Sequence, residues 1–229
     1  MEKIMLDVNK KIISFNEIPE LAEKASKSVL LVRHSYRESL QGGNLDPGLT
    51  REGWDYAVEC GRFLKGLKDV CFGASPRKRT FQTVQALMEG GELGPKESTI
   101  VPCPRLHDTS LFSPPEMLGV TVADNTLVSL LRKYYATGSA PSMIDLKDYA
   151  SGLADFLTQT EFEKKNVILA SHDIVLIALL TYFKVYAFRE DDWFGYVQGA
   201  FLFSDSAGRW TIAYAVPDKE NRKECKLFV

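Results

Sequence analysis

The most constraining feature of this chain is a short apolar run that leads directly into a cluster of cationic residues. Residues 29–32 (VLLV) are consecutive β-forming apolar residues, which is typical of a strand buried on both faces. Residues 33–37 (RHSYR) follow at once, with an arginine at each end and a histidine in second place. Ligands of open α/β sheets bind at the carboxyl ends of the strands, so this pattern predicts a cationic site there. Taken alone, these residues are also compatible with a solvated surface patch.

Two further predicted strands end in residues of similar character. Residues 70–74 are predicted to form a strand, and the segment 75–83 (SPRKRTFQT) that follows opens a helix. Residues 167–170 are predicted to form another buried strand, which ends in the segment 171–173 (SHD). A helix N-terminus presents free N–H groups and the positive end of its dipole, both of which favour an anion. Three such ends at one sheet edge would bring together arginines and two imidazoles, which suit a phosphate dianion.

The rest of the sequence alternates predicted strands and helices, which favours an α/β fold. We expect one domain over residues 1–229, a three-layer α/β/α sandwich around a mostly parallel central sheet. Residues 102–145, which begin with a long irregular stretch, are expected to cover the site as a small cap insertion. Residues 1–16 give no clear prediction. Helices are predicted from Pro19, from the N-cap Thr50 to about Leu67, from residues 75–83 to about Met88, and at 125–135, 144–157 and 174–182, and further strands at 99–101, 200–203 and 210–213.

Composition narrows the range of partners. The chain has 28 basic and 30 acidic residues and a net charge of −2, so nothing indicates nucleic acid or an anionic membrane as the main partner. The most apolar segment, 166–188, contains His172 and Asp173, which would strongly destabilise a membrane-spanning helix. The four cysteines, Cys225 among them, form no C-x-x-C pair, and the three histidines lie far apart. We therefore expect neither a metal site nor a disulfide framework. No signal-peptide region is visible, so we expect a cytoplasmic location.

Together the motifs resemble those of the histidine phosphatase superfamily, the phosphoglycerate-mutase-like and acid-phosphatase-like enzymes. They occur in the family's order and cover about residues 28–180. Each motif alone is a weak signal, but four in order with matching strand contexts are strong. The matches are residues 33–37 to R-H-G-x-R with Ser35 in place of glycine, residues 49–53 (LTREG) to L-T-x-x-G, residues 75–83 to S-P-x-x-R-x-x-Q-T, and residues 171–173 to the second-histidine motif.

The resemblance implies a role for each site residue. His34 would be the nucleophile that takes the phosphoryl group as a phosphohistidine, which water then hydrolyses. The ordinary pKa of an imidazole, about 6.5, makes it a free nucleophile near neutral pH. Arg33, Arg37, Arg79 and His172 would bind the phosphoryl oxygens. No metal or other cofactor would be needed, because arginines can neutralise the charge that magnesium neutralises in other phosphoryl-transfer enzymes.

The proton donor to the leaving group is left open between two aspartates. Asp173 follows the second histidine, as in the acid-phosphatase branch, where that aspartate is the donor. Mutase-like members usually have glycine at this position. Asp108, in the sequence RLHD, stands where mutase-like members carry the glutamate of R-L-x-E. We favour Asp173 over Asp108. His107 could reach the substrate from the cap, but the sequence gives no reason to assign it a role.

The sequence therefore predicts a metal-independent phosphomonoester hydrolase acting on a small phosphorylated substrate or a phosphoprotein. Two alternatives stay open: a phosphoglycerate-type mutase, and a phosphate- or phosphoprotein-binding module without catalysis. The aromatic residues Trp193, Phe194 and Tyr196 are expected to pack in the fold rather than to stack on the substrate. Neither the substrate nor the oligomeric state follows from the sequence, because specificity would depend on the cap.

Overall fold

A computed structural model of the protein describes residues 6–39, 46–95, 98–124, 126–188 and 193–218. The strands in these ranges are β1 (Leu6–Ser14), β2 (Lys27–Arg33), β3 (Val70–Ala74), β4 (Ile100–Pro102), β5 (Asn166–Ser171), β6 (Gly199–Ser204) and β7 (Trp210–Val216). The α-helices are α1 (Ile18–Lys24), α2 (Arg51–Arg62), α3 (Lys78–Gly91), α4 (Met117–Ala123), α5 (Leu127–Thr137), α6 (Leu146–Gln159) and α7 (Asp173–Tyr182). Short 3-10 turns span Phe15–Glu17, Pro104–Leu106 and Asp108–Leu111.

The described strands form one sheet in the order β1-β7-β6-β2-β5-β3-β4. The pairs β1–β7, β2–β5, β3–β5 and β3–β4 are parallel, whereas β6 is antiparallel to both β2 and β7. In this register Arg33 lies opposite Ser171, and Ala74 lies opposite Ala170. The carboxyl ends of β2, β3 and β5 therefore meet at one edge of the sheet, as the sequence predicts.

Helices cover both faces of the sheet. Buried residues of α1, α2 and α3 form one core with the sheet, and buried residues of α5, α6 and α7 form a second core on the other face. The 3-10 turns of residues 104–111 belong to the second core through Leu106 and Leu111, which are both fully buried. The predicted three-layer α/β/α sandwich with a mostly parallel sheet is confirmed.

The first strand, β1, is not predicted from the sequence. β1 lies at the edge of the sheet, where Val8 is 40% exposed and the register with β7 shifts between Asn9 and Ile13. A half-exposed, irregular edge strand needs no apolar alternation, so its residues carry little signal. α3 also continues to Gly91, through residues predicted as a loop. None of the helices in the described ranges is both long and apolar enough to cross a membrane.

The contact between α2 and α3 depends on glycines that let the two backbones approach closely. A Cβ atom added at Gly90 would lie 1.8 Å from the carbonyl oxygen of Val58, and one added at Gly61 would lie 2.4 Å from that of Leu87. Both obstacles are backbone atoms, which cannot move aside as a side chain can. The helix that begins with the cationic residues of the site is therefore fixed against its neighbour.

We expect Gly90→Ala to lower the free energy of unfolding by about 1–3 kcal/mol, because the new methyl group forces α2 and α3 apart. Gly119→Ala in α4 is the matched control, since a Cβ atom there meets nothing within 4 Å. That control should leave stability unchanged or raise it by up to about 1 kcal/mol through helix propensity. Urea unfolding of both variants measures the difference. Equal effects would show that the α2–α3 contact can relax.

Candidate active site

The three strand ends predicted from the sequence are joined by hydrogen bonds at the carboxyl edge of the sheet. The N–H of His34 donates to the carbonyl oxygen of Ser171 at 3.0 Å, and the N–H of Ser75 donates to that of Ala170 at 2.9 Å. The rings of His34 and His172 lie 5.5 Å apart between centroids. Residues separated by more than 130 positions in sequence thus face each other across neighbouring strands.

His34 is buried and held in one orientation. Its Nδ1 lies 2.8 Å from the carbonyl oxygen of Ser35, which can only accept, so Nδ1 carries the proton and Nε2 carries the lone pair. Burial lowers the pKa of His34 well below its ordinary value, and the charges of Arg33, His172 and Arg79 lower it further. The imidazole is therefore neutral at pH 7, with Nε2 as its basic nitrogen.

His172 is equally buried, and both ring nitrogens have partners. Nη2 of Arg79 lies 3.3 Å from Nδ1, and Oγ of Ser75 lies 2.8 Å from Nε2. Because a guanidinium only donates, Nδ1 accepts from Arg79 and the Nε2–H donates to Ser75. Burial lowers the pKa of His172, against the opposing charge of Asp108. Ser75 is thus a positioning residue that the motif contains but that sequence reasoning left without a role.

The two buried histidines make stability depend on pH. Since the pKa of each is lowered in the folded protein, the unfolded chain binds more protons than the folded one below the ordinary pKa of about 6.5. The free energy of unfolding should therefore fall as the pH drops from 7 to 5, by up to about 1 kcal/mol per pH unit for each histidine. Urea unfolding at pH 7.5, 6 and 5 measures this slope.

The variant His172→Asn should show a smaller slope than wild type in the same window, because asparagine does not titrate. Asp108 and Asp173 do not disturb the comparison. Their pKa values are lowered, so their stabilisation is lost only below the ordinary carboxyl pKa of about 4. A slope that is identical in wild type and His172→Asn would contradict a neutral, buried His172.

Two arginines of the site are buried, and each pairs with a carboxylate. Nη2 of Arg79, in the first turn of α3, lies 3.2 Å from Oδ2 of Asp108, and its Nη1 lies 3.7 Å from Asp46. Arg33 places Nη2 2.9 Å from Oδ2 of Asp173. These pairs reduce the cost of burying both guanidinium groups beside the histidines.

Arg33 is held from several sides. Its Nη1 donates to the carbonyl oxygen of Phe194, and its guanidinium carbon lies 4.1 Å from the ring centroid of Tyr196. Arg37 is different, because it is partly exposed and its Nη1 donates to the carbonyl oxygen of Glu38 at 2.9 Å. The charge of Arg37 also acts on Arg79. Burial lowers the pKa of Arg79, the negative charge of Asp108 opposes this shift, and the positive charges of its cationic neighbours lower the pKa further. Arg37 therefore lies at the rim of the site.

Asp108 lies inside the cationic cluster. Its Oδ2 is 3.2 Å from Nη2 of Arg79 and 3.9 Å from Nδ1 of His172, and its Oδ1 is 2.9 Å from Nδ1 of His107. Burial alone would raise the pKa of this carboxyl, but the hydrogen bond with His107 and the surrounding positive charges hold it below its ordinary value. Asp108 thus connects the groups predicted to bind phosphate with the third histidine of the chain.

Asp173 is bound on both carboxylate oxygens. Oδ1 accepts the backbone N–H of Ile174 at 2.8 Å, and Oδ2 accepts Nε1–H of Trp193 at 2.9 Å besides contacting Arg33. Burial raises the pKa of Asp173, but Arg33 and these hydrogen bonds outweigh it and lower the pKa. The local effect of this carboxylate is to fix Arg33 and the indole ring of Trp193.

The aromatic segment 193–196 enters the site because β6 runs antiparallel to β2, so the chain before β6 reaches the edge where β2 ends. Phe194 packs in the core against Tyr186 and Tyr214, as expected from the sequence. Trp193 bonds Asp173, and the Tyr196 ring lies 6.0 Å from that of His34. Trp193 and Tyr196 therefore pack in the fold, as expected from the sequence, and in addition contact residues of the site, which the sequence does not predict.

The glycine of the LTREG motif lets α2 pack against the loop that follows β2. Thr50 caps α2 by accepting the N–H of Gly53 at 2.9 Å, and its own N–H donates to the carbonyl oxygen of Tyr36 at 3.1 Å. A Cβ atom added at Gly53 would lie 2.0 Å from that same oxygen. Only glycine lets the first turn of α2 approach the backbone two residues after His34 so closely.

Two other motif residues hold the backbone of the site from α3. Oε1 of Gln82 accepts the N–H of Leu49 at 2.7 Å, and Oγ1 of Thr83 accepts the N–H of Ser35 at 2.9 Å. Ser35 itself is fully buried, and its hydroxyl makes no hydrogen bond within the described residues. A serine therefore fits the position where the related motif has glycine.

Within the described ranges, no group of three or more histidine, cysteine, aspartate or glutamate side chains could hold a metal ion. Three cysteines in those ranges form no disulfide, namely Cys60, Cys71 and Cys103. Cys225 lies outside the described residues. The charged groups at the site are arginines and aspartates, and its two buried histidines, His34 and His172, are neutral at pH 7.

Two buried histidines, His34 and His172, and two buried arginines, Arg33 and Arg79, thus lie together at the carboxyl ends of parallel strands. A model of the histidine phosphatase superfamily (branch 1) matches residues 29–198. Because that match covers well over half of the chain, the protein belongs to the histidine phosphatase superfamily. A search of curated proteins found no match.

Solved structures of similar fold include both phosphatases and a mutase. A phosphoserine phosphatase mutant from Entamoeba histolytica is 16% identical, with a TM-score of 0.55 over 84% of this chain and 98% of the other. A mycobacterial glucosyl-3-phosphoglycerate phosphatase is 18% identical, with a TM-score of 0.55 over 82% and 98%. A phosphoglycerate mutase from Bacillus anthracis is 13% identical, with a TM-score of 0.54 over 86% and 96%. At such identities the likeness shows the fold and not the reaction.

Proposed function

We propose that this protein is a metal-independent phosphomonoester hydrolase that forms a phosphohistidine on His34. The observation that supports this most is the state of His34: a buried, neutral imidazole with its Nδ1 proton fixed on the Ser35 carbonyl and its Nε2 lone pair available. Nucleophilic catalysis needs a nucleophile that is unprotonated at the working pH and held in position. His34 meets both requirements without a separate base.

The surrounding cations supply what a phosphoryl group requires. Arg79 and His172 share one hydrogen bond, and Arg37 lies at the rim beside them. In this proposal all three bind the phosphoryl oxygens, and the Nε2–H of His172 donates to one of them in place of Oγ of Ser75. Arg33 adds positive charge next to His34 and is held in place by Asp173 and Phe194. Charge stabilisation by preorganised guanidinium groups is the main need of phosphoryl transfer, so no metal is required.

For the proton donor we favour Asp108, which reverses the preference drawn from the sequence. Oδ2 of Asp108 lies beside Arg79 and His172, the groups that would bind the phosphoryl oxygens. The oxygens of Asp173 face other groups, namely the N–H of Ile174, the indole of Trp193 and Arg33. A donor must reach the leaving oxygen, and Asp108 is the carboxyl group on the phosphate side. Asp173 instead acts as a positioning residue for Arg33.

Residues 102–145 act in this proposal as a cap that carries Asp108 to the site and selects the substrate. We expect that substrate to be a small phosphorylated molecule or a phosphoprotein. The three cysteines in the described ranges form no disulfide, which is compatible with a reducing compartment, and we propose a cytoplasmic location.

One experiment separates this function from the two alternatives. The protein is incubated in EDTA with p-nitrophenyl phosphate and with a panel of sugar phosphates, and released phosphate and phosphorylated products are measured. Release of phosphate with a trapped, acid-labile phosphoenzyme supports the hydrolase. Movement of the phosphoryl group between sugar positions without net release supports a mutase. Vanadate binding without turnover of any substrate supports a binding module.

A further inference from the structure

The third histidine of the chain contacts Asp108 in a way that the proposed reaction does not yet use. Nδ1 of His107 lies 2.9 Å from Oδ1 of Asp108 and 2.7 Å from Oγ1 of Thr109. The N–H of Thr109 is 3.0 Å from the same carboxylate oxygen and 3.2 Å from the same ring nitrogen. Oδ2 of Asp108 points the other way, toward Arg79. One carboxylate therefore has a catalytic side and a histidine side.

A proton donor at this position needs a source of protons. Asp108 faces Arg79 at 3.2 Å, Arg77 at 3.9 Å and His172 at 3.9 Å. The phenol of Tyr149 is also near, and the charge of Asp108 adds to the effect of burial in raising the pKa of that phenol. Positive charges outnumber the negative ones around it, so Asp108 is ionised in the free protein. An ionised carboxylate cannot protonate a leaving group. Some neighbouring group must hold the proton that Asp108 delivers.

We propose that His107 and Asp108 form a proton-sharing pair that supplies the proton to the leaving group. Asp108 delivers this proton, and His107 is the positioning residue that provides Asp108 with it. This inference rests on the proposed hydrolase function and extends it. A pair coupled at 2.9 Å loses its protons in steps that belong to the pair and not to either residue. The pair can therefore hold one proton at a pH where an isolated aspartate holds none.

His107 is suited to this role by its exposure. Its side chain is 18% exposed, compared with 3% for His172, so it can exchange protons with solvent while contacting Asp108. When His107 is neutral, its Nδ1 can accept the N–H of Thr109, so both protonation states have a hydrogen-bond partner. Neither His34 nor His172 has this combination of a carboxylate neighbour within 3 Å and access to water.

The chemical step balances with one proton. In the free protein the proposed pair of His107 and Asp108 holds that proton. When phosphoryl oxygens bind Arg79 and His172, the positive charge that held Asp108 ionised is neutralised, and the proton passes to Oδ1 of Asp108. Rotation of the carboxyl group then brings the proton to the leaving oxygen. At the same time the bond from phosphorus to that oxygen breaks, and the bond from phosphorus to Nε2 of His34 forms. The water that later hydrolyses the phosphohistidine gives its hydroxyl group to phosphorus and its remaining proton to the pair.

The test compares His107→Asn with wild type on two substrates, p-nitrophenyl phosphate and an alkyl phosphate such as glycerol phosphate. Asparagine retains a hydrogen-bond donor for Asp108 but carries no titratable proton. We expect kcat/KM for the alkyl phosphate to fall by about 10²-fold, the size of a general-acid contribution, and to fall much less for p-nitrophenyl phosphate, whose leaving group needs no proton. The loss of wild-type activity toward the alkyl phosphate at high pH should also move to lower pH in His107→Asn.

Asp46→Asn is the matched control, because Asp46 is another carboxylate that contacts Arg79, at 3.7 Å, and it is not part of the proposed pair. It should change both substrates by the same factor. Equal losses on both substrates in His107→Asn, or an unchanged pH profile, would overturn the pair, since they would mean that a hydrogen bond alone suffices. Failure of the proposed function itself is distinguishable, because wild type would then release no phosphate from either substrate.

Discussion

His34→Ala is expected to reduce kcat/KM for phosphate release by about 10⁴-fold or more, without a comparable loss of stability. The substitution removes the atom that would form the bond to phosphorus, and removal of a nucleophile costs more than removal of any single hydrogen-bond donor. The remaining cations should still bind phosphate, but without His34 no phosphohistidine can form. Steady-state release from p-nitrophenyl phosphate and trapping of the phosphoenzyme after rapid quenching measure both consequences.

Vanadate binding provides the internal control for this variant. Arg79, Arg37 and His172 remain in His34→Ala, so affinity for inorganic phosphate or vanadate should stay within about 10-fold of wild type. Urea unfolding at pH 7.5 checks that the variant folds. Retention of phosphatase activity with an intact fold would show that His34 is not the nucleophile. Loss of vanadate binding together with activity would mean that the alanine had collapsed the site.

The parts of the site that the sequence predicts are those that follow directly from strand ends. Continuous apolar runs mark β2, β3 and β5, and parallel pairing brings their carboxyl ends to one edge. His34, Arg79 and His172 therefore converge without any knowledge of side-chain contacts. The helix starts after β3 and β5 are similarly encoded, because the cationic and polar residues follow the apolar runs at once.

The parts that the sequence does not predict depend on long-range pairing that leaves no local signal. Trp193 and Tyr196 reach the site because β6 returns antiparallel to β2, a register set by contacts between residues about 170 positions apart. Ser75 gains its role from its distance to His172, and His107 gains its contact from a 3-10 turn. No periodicity in these segments distinguishes a buried partner from an ordinary loop residue.

The two candidate aspartates show why sequence alone could not choose a donor. Both Asp108 and Asp173 follow histidines, and both have lowered pKa values in the folded protein. What separates them is the direction of their oxygens: those of Asp173 are bound by Arg33, Trp193 and a backbone N–H, whereas Oδ2 of Asp108 faces Arg79. Orientation of a short side chain depends on neighbours from other elements, which a linear motif does not specify.

Arg79→Ala is expected to lower kcat/KM by about 10³-fold or more, the second large effect at this site. The guanidinium of Arg79 contacts Asp108 and His172 from the same Nη2 atom, at 3.2 and 3.3 Å. Its removal takes away a phosphoryl ligand, leaves Nδ1 of His172 without its donor and raises the pKa of Asp108. Binding of inorganic phosphate should weaken in parallel, since ground state and transition state both use this charge.

Arg79→Lys should recover only a small part of this loss, because an ammonium group cannot present the planar, two-nitrogen edge that Asp108, His172 and a phosphoryl group would share. Arg37→Ala is the matched control: it removes one arginine from the rim, where solvent screens the charge, and should cost only about 10-fold. Steady-state kinetics and phosphate inhibition constants for the three variants rank the two arginines. If Arg37→Ala proved as damaging as Arg79→Ala, the phosphoryl group would bind nearer the rim than the buried pair of Arg79 and His172 implies, and His34 would then lie too deep to attack it.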